Sequence, residues 1–283
     1  EIGVRLVGSE MCIRDSFALW QADPSAKFEH GLGKFKDAFH QLTSIRRWGP
    51  EDRIRETGLR ERWQETLDMI GQSVSTVRVE VELWYRRDPS QRAAAESHVE
   101  QVIAASGGRI LDRSQIRDIT YHGLLAELPI QQVRAVLRDG AAAIRLLTTD
   151  DVMFVSPFTP MTVAPATTDP VAEVRLPAGE RIEGLPRVAL LDGLPFQNHD
   201  ALTGRLMIDD PEGVGDGYSN AARNHGTAMA SLIIHGDLSA PGEPLDRPLY
   251  VRPIMRPHEL STTHEQVDPA RLFPCLLYTS DAA

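Results

Sequence analysis

Two short motifs between Leu185 and Ile234 limit what this chain can fold into more than anything else in it. The first is Arg187-Val-Ala-Leu-Leu-Asp-Gly193. It reads as a short buried strand, a continuous apolar run with an acid at its carboxyl end and Gly193 opening a turn. The second is Asn224-His-Gly-Thr-Ala-Met-Ala-Ser231. It reads as a helix starting at polar Asn224. Small and apolar residues follow (Ala228, Met229, Ala230, Leu232, Ile233, Ile234) and can be buried on most sides. Open α/β sheets gather ligands and reactive groups at the carboxyl ends of their strands. Asp192 stands at such an end, and His225 falls in the first turn of the expected helix.

The pair of motifs resembles the subtilisin-like serine proteases, whose first two signatures are an Asp ending a parallel strand and a His-Gly-Thr opening a buried helix. The resemblance covers roughly Leu185 to Met255. His225-Gly226-Thr227 carries it most specifically. Asn198-His199-Asp200-Ala201-Leu202 fits the His-x-x-Leu that follows the family's aspartate, and Leu249-Tyr-Val-Arg-Pro253 fits its next core strand. Gly193 departs from the pattern, because the family usually has Thr or Ser there. The resemblance implies a serine endopeptidase working through an Asp-His-Ser triad. A serine hydroxyl needs an imidazole to take its proton, and the imidazole needs a carboxylate on its far nitrogen to fix the tautomer. Asp192 suits the orienting role and His225 that of general base. The plainer alternative is that Asp192 caps a turn and His225 a helix.

The family also needs a Ser in a Gly-Thr-Ser turn and an Asn amide for the oxyanion, both far downstream of the histidine. Ser231, Ser239, Ser261 and Ser280 lie in no such turn. Nucleophile and oxyanion Asn are therefore absent, and the chain as given is expected to be inactive. The ends offer a reason. Glu10-Met-Cys-Ile-Arg-Asp-Ser16 can be encoded by GAG ATG TGT ATA AGA GAC AGN. The reverse complement contains TGT CTC TTA TAC ACA TCT, which translates as the Cys-Leu-Leu-Tyr-Thr-Ser of Cys275 to Ser280. Both ends resemble a translated sequencing-library adapter. Residues 1–16 and 275–283 are expected to be artefact, set aside as a fusion scar would be. The rest is expected to be an internal fragment of a bacterial-type protein.

Cys12 and Cys275 both fall in those ends, so no disulfide framework or thiolate metal site is expected, which fits a cytoplasmic protein. A net charge of −10 with ordinary composition argues against nucleic acid as a partner. No apolar run approaches the ~18–20 residues that span a bilayer. A peptide or protein substrate is the expected partner.

Residues 17–72 read as a helical N-terminal region. Phe35, Phe39, Leu42 and Ile45 share one helix face. Pro50 is expected in the first turn of a second helix, with Ile54, Trp63, Leu67 and Ile70 as its stripe. The arginines between Arg46 and Arg62 alternate with acids and read as a solvated, salt-bridged face. Residues 73–155 read as β-α-β-β-α-β, the ferredoxin-like split. The strands are Val77–Tyr85, Arg109–Thr120, Tyr121–Glu127 and Ile144–Val155; the helices start at Asp88 and Pro129. In the resembled family a domain of this type before the catalytic domain is an inhibitory propeptide. A mere docking domain is the alternative, since this fold hosts many roles. Residues 156–184 read as a Pro-rich linker, and residues 185–274 as the truncated catalytic domain. The expected class is α/β: a subtilisin-like parallel-sheet fragment preceded by a ferredoxin-like α+β domain and a helical region.

No cofactor is required by this chemistry. The acidic loop Asp209–Gly217 offers oxygen ligands of the kind calcium takes, but its spacing does not fit an EF-hand. His199 and His235 read as structural polar residues, with His235-Gly236 ending the helix. A pseudoprotease, or a peptide-binding or inhibitory module, is the rival reading. A Gly-Thr-Ser turn further along the reading frame discriminates between them.

Overall fold

The computed structural model describes residues 17–25, 36–42, 44, 46–70, 75–158, 162–163, 181–238, 240, 242–258 and 261–278. Residues 1–16, Phe35, Ile45, Ser239, Ser280 and most of the expected linker lie outside them. By contact the chain forms two compact units: Glu1–Arg109 with Leu128–Pro157, and Ile110–Glu127 with Phe158–Ala283. The architecture is mixed α/β, with antiparallel and parallel sheets. Among the described residues no helix is long and apolar enough to cross a membrane.

In the first unit a helix over residues 17–22 (α1) and α2 (Lys36–Phe39) bring Phe17, Trp20 and Phe39 together. The expected helix through Leu42 is cut short, since α2 ends at Phe39. The second expected helix starts late as well. Residues after Pro50 form turns, and α3 (Leu59–Ile70) begins only at Leu59. The reason is tertiary. Arg53, 2% exposed, donates from Nε to the Val152 carbonyl (2.8 Å) and from Nη1 to the Leu147 carbonyl (2.9 Å). Asp52 accepts from the Gly49 N–H at 2.8 Å and from Arg46. These bonds hold residues 49–53 in turns instead of a helical coil. They also correct the picture of a wholly solvated arginine face. Arg47, Arg60 and Arg62 do pair with acids at the surface, where such pairs contribute about 0–1 kcal/mol. Arg53 is a buried tie.

β1 (Thr76–Leu83) alternates as its sequence requires, with Val79, Val81 and Leu83 buried. α4 (Pro89–Ala105) starts at Asp88, whose carboxylate accepts the Ser90 N–H at 2.8 Å, with Pro89 in the first turn. Along the chain β2 (Arg109–Ile116) and β3 (Tyr121–Pro129), whose residues fall mostly in the second unit, and α5 (Ile130–Asp139) follow in the expected order. Residues 144–151 differ. The expected strand from Ile144 is replaced by the short helix α6 (Arg145–Thr148), and β4 (Val152–Pro157) begins at Val152. Leu146 and Leu147 are consecutive and both buried. A strand with one buried face cannot do that; a helical turn can. Within this unit β1 and β4 pair antiparallel, with Val81 opposite Val155.

The second unit carries β5 (Thr162–Val163), a strand within the expected linker. It then carries β6 (Ala189–Asp192), β7 (Leu206–Ile208), α7 (Asn224–His235) and β8 (Leu249–Pro253). β9 (Met255–His258), β10 (Ser261–Val267) and α8 (Phe273–Leu277) complete it. β6 and β7 both run parallel to β8, in the order β6-β8-β7. β5, β10 and β9 form a separate antiparallel sheet. Leu190 and Val251 from one sheet face, Ala230 and Ile234 from α7, and Ala201, Leu202 and Leu249 make the core beneath the parallel strands. Each fully buried large aliphatic side chain is worth about 1.5–3 kcal/mol, so this cluster anchors α7 to β6. Neither element is buried on all sides. Leu191 on β6, Met207 on β7 and Leu232 on α7 are exposed. The strand therefore alternates and the helix is amphipathic.

Candidate functional site

Asp192 is the last residue of β6 and is 8% exposed. Its Oδ1 accepts the N–H of Gly193 at 2.8 Å, which fixes the carboxylate plane. Its Oδ2 lies 3.1 Å from Nε2 of His225, in the first turn of α7. The two residues singled out in the sequence are thus brought together, across the parallel strand end and the helix start. His225 retains a partly exposed side chain.

Local chemistry explains why helix and strand can come this close. A Cβ on Gly226 would stand 2.5 Å from the Gly193 carbonyl oxygen and 2.8 Å from its carbon. Only a glycine lets the first turn of α7 rest on the backbone that follows Asp192. Thr227 then locks the contact, accepting the Phe196 N–H at 2.9 Å and donating to the Arg223 carbonyl at 2.6 Å. The residues of the His-Gly-Thr motif thus divide the work: His225 supplies the imidazole, Gly226 allows the close approach and Thr227 clamps it. α7 starts at Asn224, where the motif places it. The turn Ala221–Arg223 leads directly into α7, and Arg223 is the capping residue, without a side-chain bond.

In the Ser-His-Asp template the carboxylate meets Nδ1 and the hydroxyl meets Nε2. Here Nε2 faces Asp192. The nitrogen on the opposite side of the ring, Nδ1, is the one this conformer leaves for another group.

A second carboxyl, from β10, completes the surroundings. Glu265 is 1% exposed, and its Oε1 accepts the Tyr218 hydroxyl at 2.7 Å. That hydroxyl also lies 2.8 Å from the Met255 carbonyl. The other oxygen, Oε2, is buried with no hydrogen-bond partner among the described residues. A Cβ built on Gly193 would overlap Glu265 Oε1. Burial pushes the Glu265 carboxyl above the ordinary carboxylate range; Asp192 pushes the same way, and Tyr218 and His225 oppose it. Burial also raises the Tyr218 phenol, with Glu265 adding to the effect. Nothing in the sequence pointed to Glu265 or Tyr218. Glu265-Gln266 reads as a polar segment, yet both residues are buried.

Ser231 is on α7, and Ser261 on β10 bonds His264 Nδ1 at 2.5 Å. Among the described residues no serine hydroxyl is bonded to His225. His199 Nδ1 accepts the Ala201 N–H at 3.2 Å, and His235 Nε2 lies 2.8 Å from the Ala201 carbonyl. His235 therefore ties α7 to residue 201 instead of closing its own last turn, which ends at Gly236 with φ of 69°. In the acidic loop Asp210 accepts the N–H groups of Val214 (2.9 Å) and Gly215 (2.7 Å). Asp209 accepts the Tyr250 hydroxyl. Among the described residues no group of three His, Cys, Asp or Glu side chains is placed to hold a metal.

No protein-family model, curated protein or solved structure matches the chain.

Proposed function

We propose that this chain is a fragment of a subtilisin-like serine endopeptidase, in which Asp192 orients His225 and His225 takes the proton of a serine hydroxyl. What supports the reading is the 3.1 Å approach of Asp192 Oδ2 to His225 Nε2 at the carboxyl end of a parallel strand. Acyl transfer from a peptide bond needs such a carboxylate-held imidazole, with one nitrogen left for the nucleophile. Nδ1 is that nitrogen in this conformer, and the template's assignment needs another His225 rotamer. The chain itself lacks the nucleophile and the oxyanion Asn, so it should not cleave peptides. The substrate of the longer protein is a peptide or protein, and the chemistry calls for no metal or organic cofactor.

The order of strands and helices along the chain, β1-α4-β2-β3-α5-α6-β4, supports a ferredoxin-like reading of residues 73–155. Its position ahead of Asp192 supports a propeptide-like role. The test is to express the chain with the continuation of its reading frame and treat it with a fluorophosphonate. A serine should be labelled, His225→Ala should abolish labelling, and Asp192→Asn should slow it by about 10⁴-fold. Undiminished labelling of His225→Ala would overturn the assignment.

A further inference from the structure

Glu265 is a buried acid that the proposed chemistry does not use, and its placement is specific. A Cβ on residue 193 would overlap Oε1 and stand 2.6 Å from Cδ and 2.9 Å from Oε2. The carboxyl therefore lies directly against the residue that follows Asp192. Ordinarily a flexible carboxylate could swing away from such an overlap. This one cannot do so cheaply, because it is 1% exposed and tied through Oε1 to Tyr218, itself buried. On its other side the Gly193 backbone is met by α7 at Gly226. The turn that carries Asp192 is thus held between a carboxyl and a helix.

We propose that Glu265 is a positioning residue for the Asp192–His225 pair, its carboxyl taking the space that a side chain on residue 193 would fill and so fixing the turn that aims Asp192 at His225. The proposal rests on reading Asp192 and His225 as an acid–base pair. It gives the departure at Gly193 a cause: side chain at 193 and carboxyl at 265 are exchangeable fillers of one space, and both cannot be present. Oε1 is held by Tyr218, while Oε2 is buried with no hydrogen-bond partner among the described residues.

The test reads the imidazole nitrogens of His225 by ¹⁵N NMR in the 283-residue chain, with the signals assigned by their loss in His225→Asn. In the neutral ring Asp192 should hold one tautomer, with the proton on Nε2. Glu265→Ala should relax this to a mixture, and the isosteric Glu265→Gln should restore it. A merely structural Glu265 would lose stability on truncation and leave the tautomer unchanged. Gly193→Ser alone should also disturb the tautomer and lower the thermal midpoint by about 5 °C, from overpacking. Gly193→Ser combined with Glu265→Ala should recover both. A wild-type tautomer in Glu265→Ala, or a Gly193→Ser variant as stable as the parent, would overturn the proposal. If Glu265→Ala does not fold, the double variant decides: a wild-type signature supports the exchange and its failure refutes it. Asp192→Asn separates the two ideas. If it leaves the tautomer unchanged, the acid–base pair itself fails; if it alone changes the tautomer, only the role of Glu265 fails.

Discussion

Replacing Gly226 by Ala sets two effects of known size against each other. In a helix interior the change normally stabilises by about 1 kcal/mol, because glycine has more backbone freedom to lose. Here the new methyl would stand 2.5 Å from the Gly193 oxygen, 2.8 Å from its carbon and 3.1 Å from the Leu194 carbonyl carbon. All three are backbone atoms, so no side chain can turn aside. Ordinary contact begins near 3.4 Å, and the first turn of α7 must retreat by about 1 Å. Overpacking of this kind costs about 1–3 kcal/mol, and against backbone the upper part of that range applies. The net effect is a loss of roughly 1–2 kcal/mol, which speeds local opening about 5–30-fold. Hydrogen exchange of the segment Asn224–His235 measures it, with α4 as internal reference. The same retreat stretches the 3.1 Å approach of His225 to Asp192 and removes the bond. Exchange in α7 that is unchanged or slower would refute the reasoning, because helix propensity acting alone predicts slower exchange.

Thr227→Val keeps the shape but removes the acceptor for the Phe196 N–H. It should cost about 1–3 kcal/mol in urea unfolding, and Thr227→Ser should recover most of that. Arg53→Met should cost about 2–4 kcal/mol, because it leaves the Leu147 and Val152 carbonyls without their donor; a variant as stable as the parent would show that these bonds contribute nothing net. Glu265→Gln should change the pH dependence of stability. The folded carboxyl titrates above the ordinary 4.5, so the stability of its neutral form is complete below 4.5 and is lost as pH rises through the folded value. Glutamine has no such loss. Its advantage over the parent should grow from pH 4.5 upward and then level off, with Asp192, His225 and Tyr218 as the titratable groups around it. A difference independent of pH would show that the buried carboxyl does not titrate between the folded and unfolded states.

Much of the fold was legible because it is local. The alternation of Val79, Val81 and Leu83, the Asp88-Pro89 helix start and the Leu249–Pro253 strand all appear where their patterns place them. Failures occurred where distant groups outweighed local preference. Pro50 offered a helix start, but Arg53 and Asp52 use their hydrogen bonds to hold turns. Ile144 offered a strand, but the consecutive buried Leu146 and Leu147 need a helical turn. The apolar run at Leu190 reads as a buried strand, and the structure buries Leu190 while Leu191 is exposed. Periodicity over four residues cannot distinguish those cases.

By itself the sequence determined which side chains are available at the candidate site and in what order: an acid ending a strand, and an imidazole one residue before a glycine and two before a threonine. Residue type and spacing set those facts, because they depend only on backbone periodicity and on what each side chain can donate or accept. Tertiary structure alone decided the distance between Asp192 and His225, the nitrogen that faces the carboxylate, and the presence of Glu265 against Gly193. Those depend on elements far apart in the chain meeting at atomic separation, where a single methyl group decides whether a helix can approach. No local pattern encodes that separation.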